Sequence, residues 1–468
     1  MSNFEKNYLT MKRLFLFWVL LIASSVSAQS PDITRRIDAL FASYHNEMPG
    51  AAVAVSLDGK VVYNKAFGLA NLEYFVPNTT ATIFESGSVS KQFVAASVLL
   101  LAKEGKLSLS DDVRKYVPEL PVYDATITID MLLSHTSGLK DWGALYSLTG
   151  WPRTSRVYTQ ELGYDIIFKQ KSLNFTPGSE YSYSNSNYMM LVLITERVSS
   201  LTLAQFTHKH FFEPLGMVNT KWRDNYRAIV PGRATAYIMV NGEFLLNMPF
   251  EDLHGPGGLM TTTSDLLLWN TLHETYEIFG KNYASNRIEV RPLNDGSFCS
   301  YAAGLTIDSY NCYKEIAHSG STGGYRAWLA WYPEKRLSVV LLSNYAQFSP
   351  VTVGRAIAAI FLGQDSSKVP GPSIEQAESK EYPVKASDYT GIYHSSEVGV
   401  TYTLRENQGK VEVFRKAGDS FVLNYNSSDN FTTTGNGTFS FIRGRKGKVT
   451  GFKVSVTRAS DVPFVKID

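Results

Sequence analysis

A chain of 468 residues, 44% hydrophobic and 19% charged, has room for two or three domains and enough apolar residues for a sizeable core, which excludes a disordered protein. Its 45 Lys and Arg offset 43 Asp and Glu with no basic block, so neither nucleic acid nor a charged membrane surface is an expected partner. Tyr, Phe and Trp reach 13%, a share that suits β-sheet and a groove for a ligand.

Lys12-Arg13 precedes an apolar run over 14–23 and small residues over 24–28. A charged start, a short apolar stretch and a small-residue cleavage site predict a signal peptide over 1–28. A bilayer span needs about 20 apolar residues, more than this run supplies, so an N-terminal anchor is the alternative rather than the expectation. The mature chain is expected to be exported by a bacterium, periplasmic or secreted, without a stable membrane span. Cys299 and Cys312 are the two cysteines. Strands over 301–307 and 313–318, turning near Ser309-Tyr310, would place residue 312 opposite 307. Cys299 would then lie about 26 Å along the strand, too far for a disulfide.

In chain order, 31–48 reads as a helix, and 51–56 and 61–67 as strands joined across Asp58-Gly59, a hairpin signal. A strongly apolar helix spans 91–104 and closes at Gly105. Helix signals dominate the middle, including 189–198 and an amphipathic 201–212. Strands return at 301–307, 313–318, 325–332 and 337–343, and 351–362 is a last helix. Early and late strands flanking a helical middle predict an α+β architecture in which both sets share one antiparallel sheet. The Pro- and Gly-bearing stretch 363–386 reads as a linker. Eight short strand-like runs over 387–468, separated by turns such as Gly435-Asn436-Gly437, predict a small β-barrel. The basic cluster Arg443, Arg445, Lys446 and Lys448 reads as a solvated hairpin tip.

Three segments carry chemistry. In Phe84-Glu85-Ser86-Gly87-Ser88-Val89-Ser90-Lys91-Gln92-Phe93, Ser88 and Lys91 stand three apart at a helix start, where hydroxyl and amine share a face. Serine needs a neighbouring base, and a partly buried lysine can lose its proton and serve as one. The spacing alone is equally that of a capping serine with a solvated lysine. The second segment, 177–188, holds Tyr183-Ser184-Asn185; on its own it is a polar aromatic turn before a helix. The third, Ala317-His318-Ser319-Gly320-Ser321-Thr322-Gly323-Gly324-Tyr325, is a strand whose glycines allow a substrate backbone to approach.

Taken together and in this order, the three segments resemble the serine β-lactamase and penicillin-binding-protein superfamily, closest to the class C-related branch with its D-aminopeptidases, D,D-carboxypeptidases and esterases. Leu132–Leu139, Pro214–Met217, Gly257–Trp269 and Trp331–Asn344 support the likeness, which covers about 31–362; the C-terminal part is similar to the lipocalin-like domains appended to this branch. The resemblance implies Ser88 as the acylated nucleophile, Lys91 and Tyr183 as the groups that move its proton, and Asn185 as a substrate-orienting amide. It further implies an oxyanion hole from the backbone N–H groups of Ser88 and Ser321, and a substrate-binding strand at His318, Gly320 and Ser321. It departs from the β-lactamase pattern at His318, where relatives carry a lysine that holds a substrate carboxylate. A mostly neutral histidine there favours D-amino-acid peptides, amides or esters over β-lactams. A slow-turnover penicillin-binding or peptide-sensing protein and a true class C-type β-lactamase are the alternatives. No cofactor or metal is expected: His208 and His210 flank Lys209 on different faces, His135 reads as a structural hydrogen-bonder, Arg326 as a solvated strand-end residue, and there is no His-Glu-x-x-His, Gly-x-Ser-x-Gly or P-loop.

Overall fold

The computed structural model describes residues 31–468 apart from 46, 153–155, 274–279, 281–284, 364–383 and 417–418. The signal-peptide reading over 1–28 and most of the linker reading therefore lie outside the described residues. The first helix, Pro31–Leu40, is shorter than its apolar spacing predicts. Its end tightens to three-residue bonds, Phe41 N–H to the Asp38 carbonyl and Ala42 N–H to that of Ala39, and the chain leaves the helix there.

Residues 44–468 form one compact unit. Its central sheet is antiparallel, in the order Thr306–Tyr310, Tyr313–Thr322, Tyr325–Tyr332, Leu337–Ser343, Ala51–Leu57, Lys60–Phe67. Early and late strands thus share a sheet, as the sequence predicts. Ala51–Leu57 and Leu337–Ser343 are buried almost throughout and read as continuous apolar runs. Against them lies the helical region. In its central helix, Lys91–Lys103, every residue from Lys91 to Leu101 is buried. Phe93 of this helix stacks on Trp269 with ring centroids 4.0 Å apart.

Three sequence expectations are corrected. The stretch 201–212 is not one α-helix: Leu203–Thr207 passes into a π-helical turn over His208–Phe212. The strand expected over 301–307 starts only at Thr306, because Ala302 N–H bonds the Leu305 carbonyl in a tight turn and Gly304 takes φ +74°. A side chain at Gly304 would meet the Lys91 carbonyl oxygen at 2.8 Å. The following hairpin turns at Asn311-Cys312, both left-handed, two residues later than expected. This two-residue turn requires φ > 0 at both positions, and asparagine tolerates it readily. Cys312 is exposed at the tip, Cys299 is half-buried, and both thiols are free.

The C-terminal region is a nine-stranded antiparallel sheet. Its two edge strands, Asp419–Val422 and Asn424–Ser427, are separated in the chain by Leu423 alone, so the sheet curls into a nearly closed barrel. Residues 421–425, with the character of a single strand, are thus divided between the two. Tyr393, Tyr402, Phe431, Phe439, Phe452 and Phe464 fill the interior.

The barrel docks on the α+β part through buried polar contacts and a continuous apolar core. Tyr402 Oη donates to the Leu148 carbonyl at 2.6 Å, Arg415 Nη1 to that of Ser147 at 3.1 Å, and Gln170 Nε2 to that of Glu397 at 3.3 Å. Lys140 and Glu397 form a buried ion pair at 3.8 Å. Tyr402→Phe strands the Leu148 carbonyl, which should lower stability by about 1–2 kcal/mol, read as a reduced urea midpoint at unchanged slope.

Candidate active site

Gly87–Ser90 forms one 3-10 turn that runs directly into the Lys91–Lys103 helix. This places Ser88, half-buried, one turn ahead of the fully buried Lys91. Gly87 takes φ +51° and lies so close to the Tyr313–Thr322 strand that a Cβ would sit 2.6 Å from the Ser321 nitrogen. Gly320 makes the reciprocal approach: its Cβ would lie 2.0 Å from the Ser86 carbonyl oxygen. These two glycines let the strand clasp the serine turn.

Lys91 Nζ lies 3.1 Å from Ser88 Oγ, 2.9 Å from Asn185 Oδ1 and 2.8 Å from the Pro256 carbonyl. The last two partners only accept. A neutral amine has two N–H bonds and one lone pair; the two carbonyls take both N–H bonds, so the lone pair is left for the Ser88 hydroxyl. Burial holds the Lys91 pKa well below the ordinary lysine range; Asp141 opposes this and Arg458 reinforces it. Asn185 is locked in its orientation because its backbone N–H and Nδ2 both donate to Asp141 Oδ2, at 2.6 and 2.9 Å. Asp141 Oδ1 caps the Trp142–Ser147 helix at the Ala144 N–H. Both ends of the Asn185 amide are thus engaged within the protein. The Pro256 carbonyl is held by its own support, since Glu85 accepts from the Gly258 N–H at 3.1 Å and pairs with buried Arg223 at 3.1 Å.

The Tyr183 ring lies beside Lys91, with Nζ 4.9 Å from its centroid. The buried Tyr183 hydroxyl makes no hydrogen bond of normal geometry and faces Ser88. Burial raises its pKa, while Ser88 and Arg458 act in the opposite direction. His135 packs 4.3 Å from the Tyr183 ring and accepts through Nδ1 from the Ser184 N–H and Asn187 Nδ2, a structural role as expected from the sequence.

His318 is buried, and its two ring nitrogens both have protein partners. Nδ1 lies 2.6 Å from the Ser319 carbonyl, which can only accept, so Nδ1 carries the proton and Nε2 accepts from the Tyr301 hydroxyl at 2.9 Å. Burial first, then Lys91, lowers its pKa to about 3. Its strand is paired with Thr306–Tyr310 only as far as Ala317, which leaves 318–322 as an open edge. Thr306 Oγ1 bonds the Ala317 carbonyl from that side, so by the two-residue period the backbone of Ser319 and Ser321 faces the opening. Ser88, Tyr183, Asn185, His318, Gly320 and Ser321 all line one cavity of about 1250 Å³. Arg326, in the same wall, turns Nη1 onto the Gly323 and Tyr325 carbonyls.

The Beta-lactamase family profile matches residues 35–362. The chain belongs to the beta-lactamase family. It is a serine hydrolase related to D-aminopeptidases and amidases. A penicillin-binding protein of Bacillus subtilis is 26% identical, covering 75% of this chain and 80% of its own length. A D-aminopeptidase of Gluconobacter oxydans is 28% identical over 66% of this chain, and the match spans 58% of that enzyme. The octameric penicillin-binding protein homologue of Pyrococcus abyssi superposes with a TM-score of 0.63 at 23% identity, covering 93% of this chain and 99% of its own. Its coverage extends the shared fold into the barrel.

Sequence reasoning missed Asp141, Pro256, Tyr301 and Arg458. Asp141 directly follows the Leu132–Leu139 segment and Lys140, but nothing in its spacing shows that it reaches Asn185; Pro256 acts through its backbone and leaves no sequence signal.

Two outcomes follow from this geometry. Nitrogen NMR of labelled histidine should show His318 as the neutral Nδ1–H form, with no titration above pH 5. Gly320→Ala should force strand and serine turn apart, lowering the denaturation midpoint by an overpacking cost of about 1–3 kcal/mol and suppressing labelling of Ser88 by a fluorophosphonate.

Proposed function

We propose that this protein is an exported serine hydrolase that works through an acyl-enzyme on small D-aminoacyl peptides, amides or esters. The observation that carries the reading is the Lys91 amine, buried, with both N–H bonds spent on carbonyl oxygens and its lone pair 3.1 Å from Ser88 Oγ. In the first step Lys91 takes the Ser88 proton as Oγ adds to the substrate carbonyl carbon. The oxyanion that forms is stabilised by the backbone N–H groups of Ser88 and Ser321, preorganised by the Gly87–Gly320 clasp. The proton then passes by way of Lys91 and Tyr183 to the leaving nitrogen or oxygen, the carbonyl re-forms and the leaving group departs. Water enters by the reverse route: its proton goes to the same pair, its oxygen adds to the ester carbon, and Ser88 leaves with a proton restored.

The open edge at 318–322 suits an extended acyl chain pairing through backbone bonds, and the cavity is larger than a bicyclic β-lactam needs. The likeness to a D-aminopeptidase supports D-residues in that chain. Export rests on the residues over 1–28.

Mass spectrometry after treatment with a fluorophosphonate should place the adduct on Ser88, and an adduct elsewhere in a folded sample would overturn the reading. Lys91→Ala should cut acylation by at least about a thousandfold. The lowered Lys91 pKa gives the pH dependence its sign: the free-base form persists to lower pH than in an ordinary lysine, so acylation should extend below the ordinary lysine range and fall as acid protonates the amine. D-aminoacyl p-nitroanilides or esters should exceed nitrocefin in kcat/KM by about tenfold or more.

A further inference from the structure

The barrel delivers a side chain to the site. Thr457 and Arg458 make the two-residue turn between strands Val449–Val456 and Ala459–Lys466, and both line the cavity that holds Ser88 and Tyr183. The Arg458 guanidinium carbon lies 4.9 Å from the centroid of the Tyr183 ring. The side chain is exposed, and among the described residues no carboxylate pairs with it. Its backbone takes φ +71°, a left-handed conformation that Gly or Asn adopts at least cost. The tip is nonetheless held firmly. The Arg458 carbonyl accepts from the Asp141 N–H and from Asn174 Nδ2, both at 3.0 Å, and Asn174 Oδ1 in turn accepts from the Ser460 N–H at 2.8 Å and the Ser460 hydroxyl at 2.9 Å.

Several other charged groups around the cavity are already committed. The Lys91 amine is engaged by two carbonyls, His318 is neutral, Asp141 is taken by Asn185 and Ala144, and Arg355 is paired with Glu315 and Asp308. Among the described residues, Arg458 is a cavity-lining cation with an exposed side chain and no carboxylate partner, while Arg326 turns its guanidinium onto the Gly323 and Tyr325 carbonyls. In the acyl-enzyme reading, on which this inference rests, Tyr183 serves the leaving group. A cation stacked on Tyr183 therefore meets what the leaving group carries.

We propose that Arg458 anchors a carboxylate on the leaving-group side of the substrate, so that the barrel, rather than the strand bearing His318, sets the preference for an acidic substrate. A neutral His318 offers no charge to a substrate carboxylate, which leaves that role to Arg458. A guanidinium suits the task because its planar donors can grip both carboxylate oxygens at once.

The test compares a D-aminoacyl-D-alanine bearing a free carboxylate with the same compound as its C-terminal amide. Each is assayed for turnover and for protection of Ser88 against fluorophosphonate labelling in the full chain. The unmodified protein should favour the acid by about tenfold or more, in line with one charge-assisted contact. Arg458→Asn keeps a residue suited to the turn and should bring the acid-to-amide ratio to within about twofold of one; Arg458→Lys should retain part of the preference, and Arg458→Glu should invert it. Removing Arg458 also makes Lys91 easier to protonate, but that slows both compounds alike and cancels in the ratio. Arg458→Gln serves as the second neutral variant, should Asn disturb the hairpin. No preference for the acid in the unmodified protein, or an unchanged ratio in the neutral variants, overturns the inference while labelling of Ser88 leaves the acyl-enzyme reading intact. Absence of labelling overturns that reading and the inference with it.

Discussion

The site depends on keeping one amine uncharged inside the protein. An ammonium group at Lys91 would need a counter-ion in contact, and the carboxylate that acts on it, Asp141, is separated from it by Asn185. The amide acts as a spacer: Nδ2 binds the carboxylate and Oδ1 turns to the amine, so Asp141 still pulls the Lys91 pKa upward but does not neutralise the charge by direct pairing. Burial outweighs that pull, and the lone pair remains available to Ser88. An aspartate in place of Asn185 would put a carboxylate on the amine and fill the lone pair with a proton.

Much of the surrounding architecture serves to hold that geometry. The helix that begins at Lys91 is buried on every face, which fixes the depth of the amine. The Pro256 carbonyl is positioned through Gly258 by Glu85, and Glu85 is itself paired with Arg223 in the interior. Breaking such a buried pair by removing one partner typically costs about 3–5 kcal/mol, so this support is rigid as well as remote. The two glycines at 87 and 320 let a strand and a helix start approach more closely than side chains permit, and the open edge of that strand faces the serine for the same reason.

The elements with strong periodicity were legible: the hairpin over Asp58-Gly59, the apolar helix ending at Gly105, the late strands at 325–332 and 337–343, and the run of short strands in the barrel. What misled the reading was backbone demand that apolar spacing does not report. Gly304 turns the chain against Lys91 and delays a strand, and Asn311 moves a hairpin by accepting φ > 0. Ser88, Lys91, Tyr183 and Asn185 could be named from the order of the segments, and the fold brings them together. Asp141, Tyr301 and Arg458 could not, since no motif or residue spacing marks them as part of the site.

Arg458 also bears on why a histidine can stand at 318. That position is buried beside Lys91, and burial above all holds the His318 pKa down at about 3. A permanently charged residue there would have to be desolvated and would repel any proton on Lys91. A cation at an exposed turn keeps much of its hydration, and its distance from Lys91 softens the repulsion to a contribution that merely lowers the lysine pKa further. The same charge can thus favour the free-base form of Lys91 and greet an anionic leaving group. The geometry ties the two parts of the chain together in a second way, because the Arg458 carbonyl holds the Asp141 N–H while the Asp141 carboxylate holds Asn185. The serine, its base and the amide that orients the base lie within the first 200 residues, yet the residue that steadies them and the charge that faces their substrate come from the last dozen.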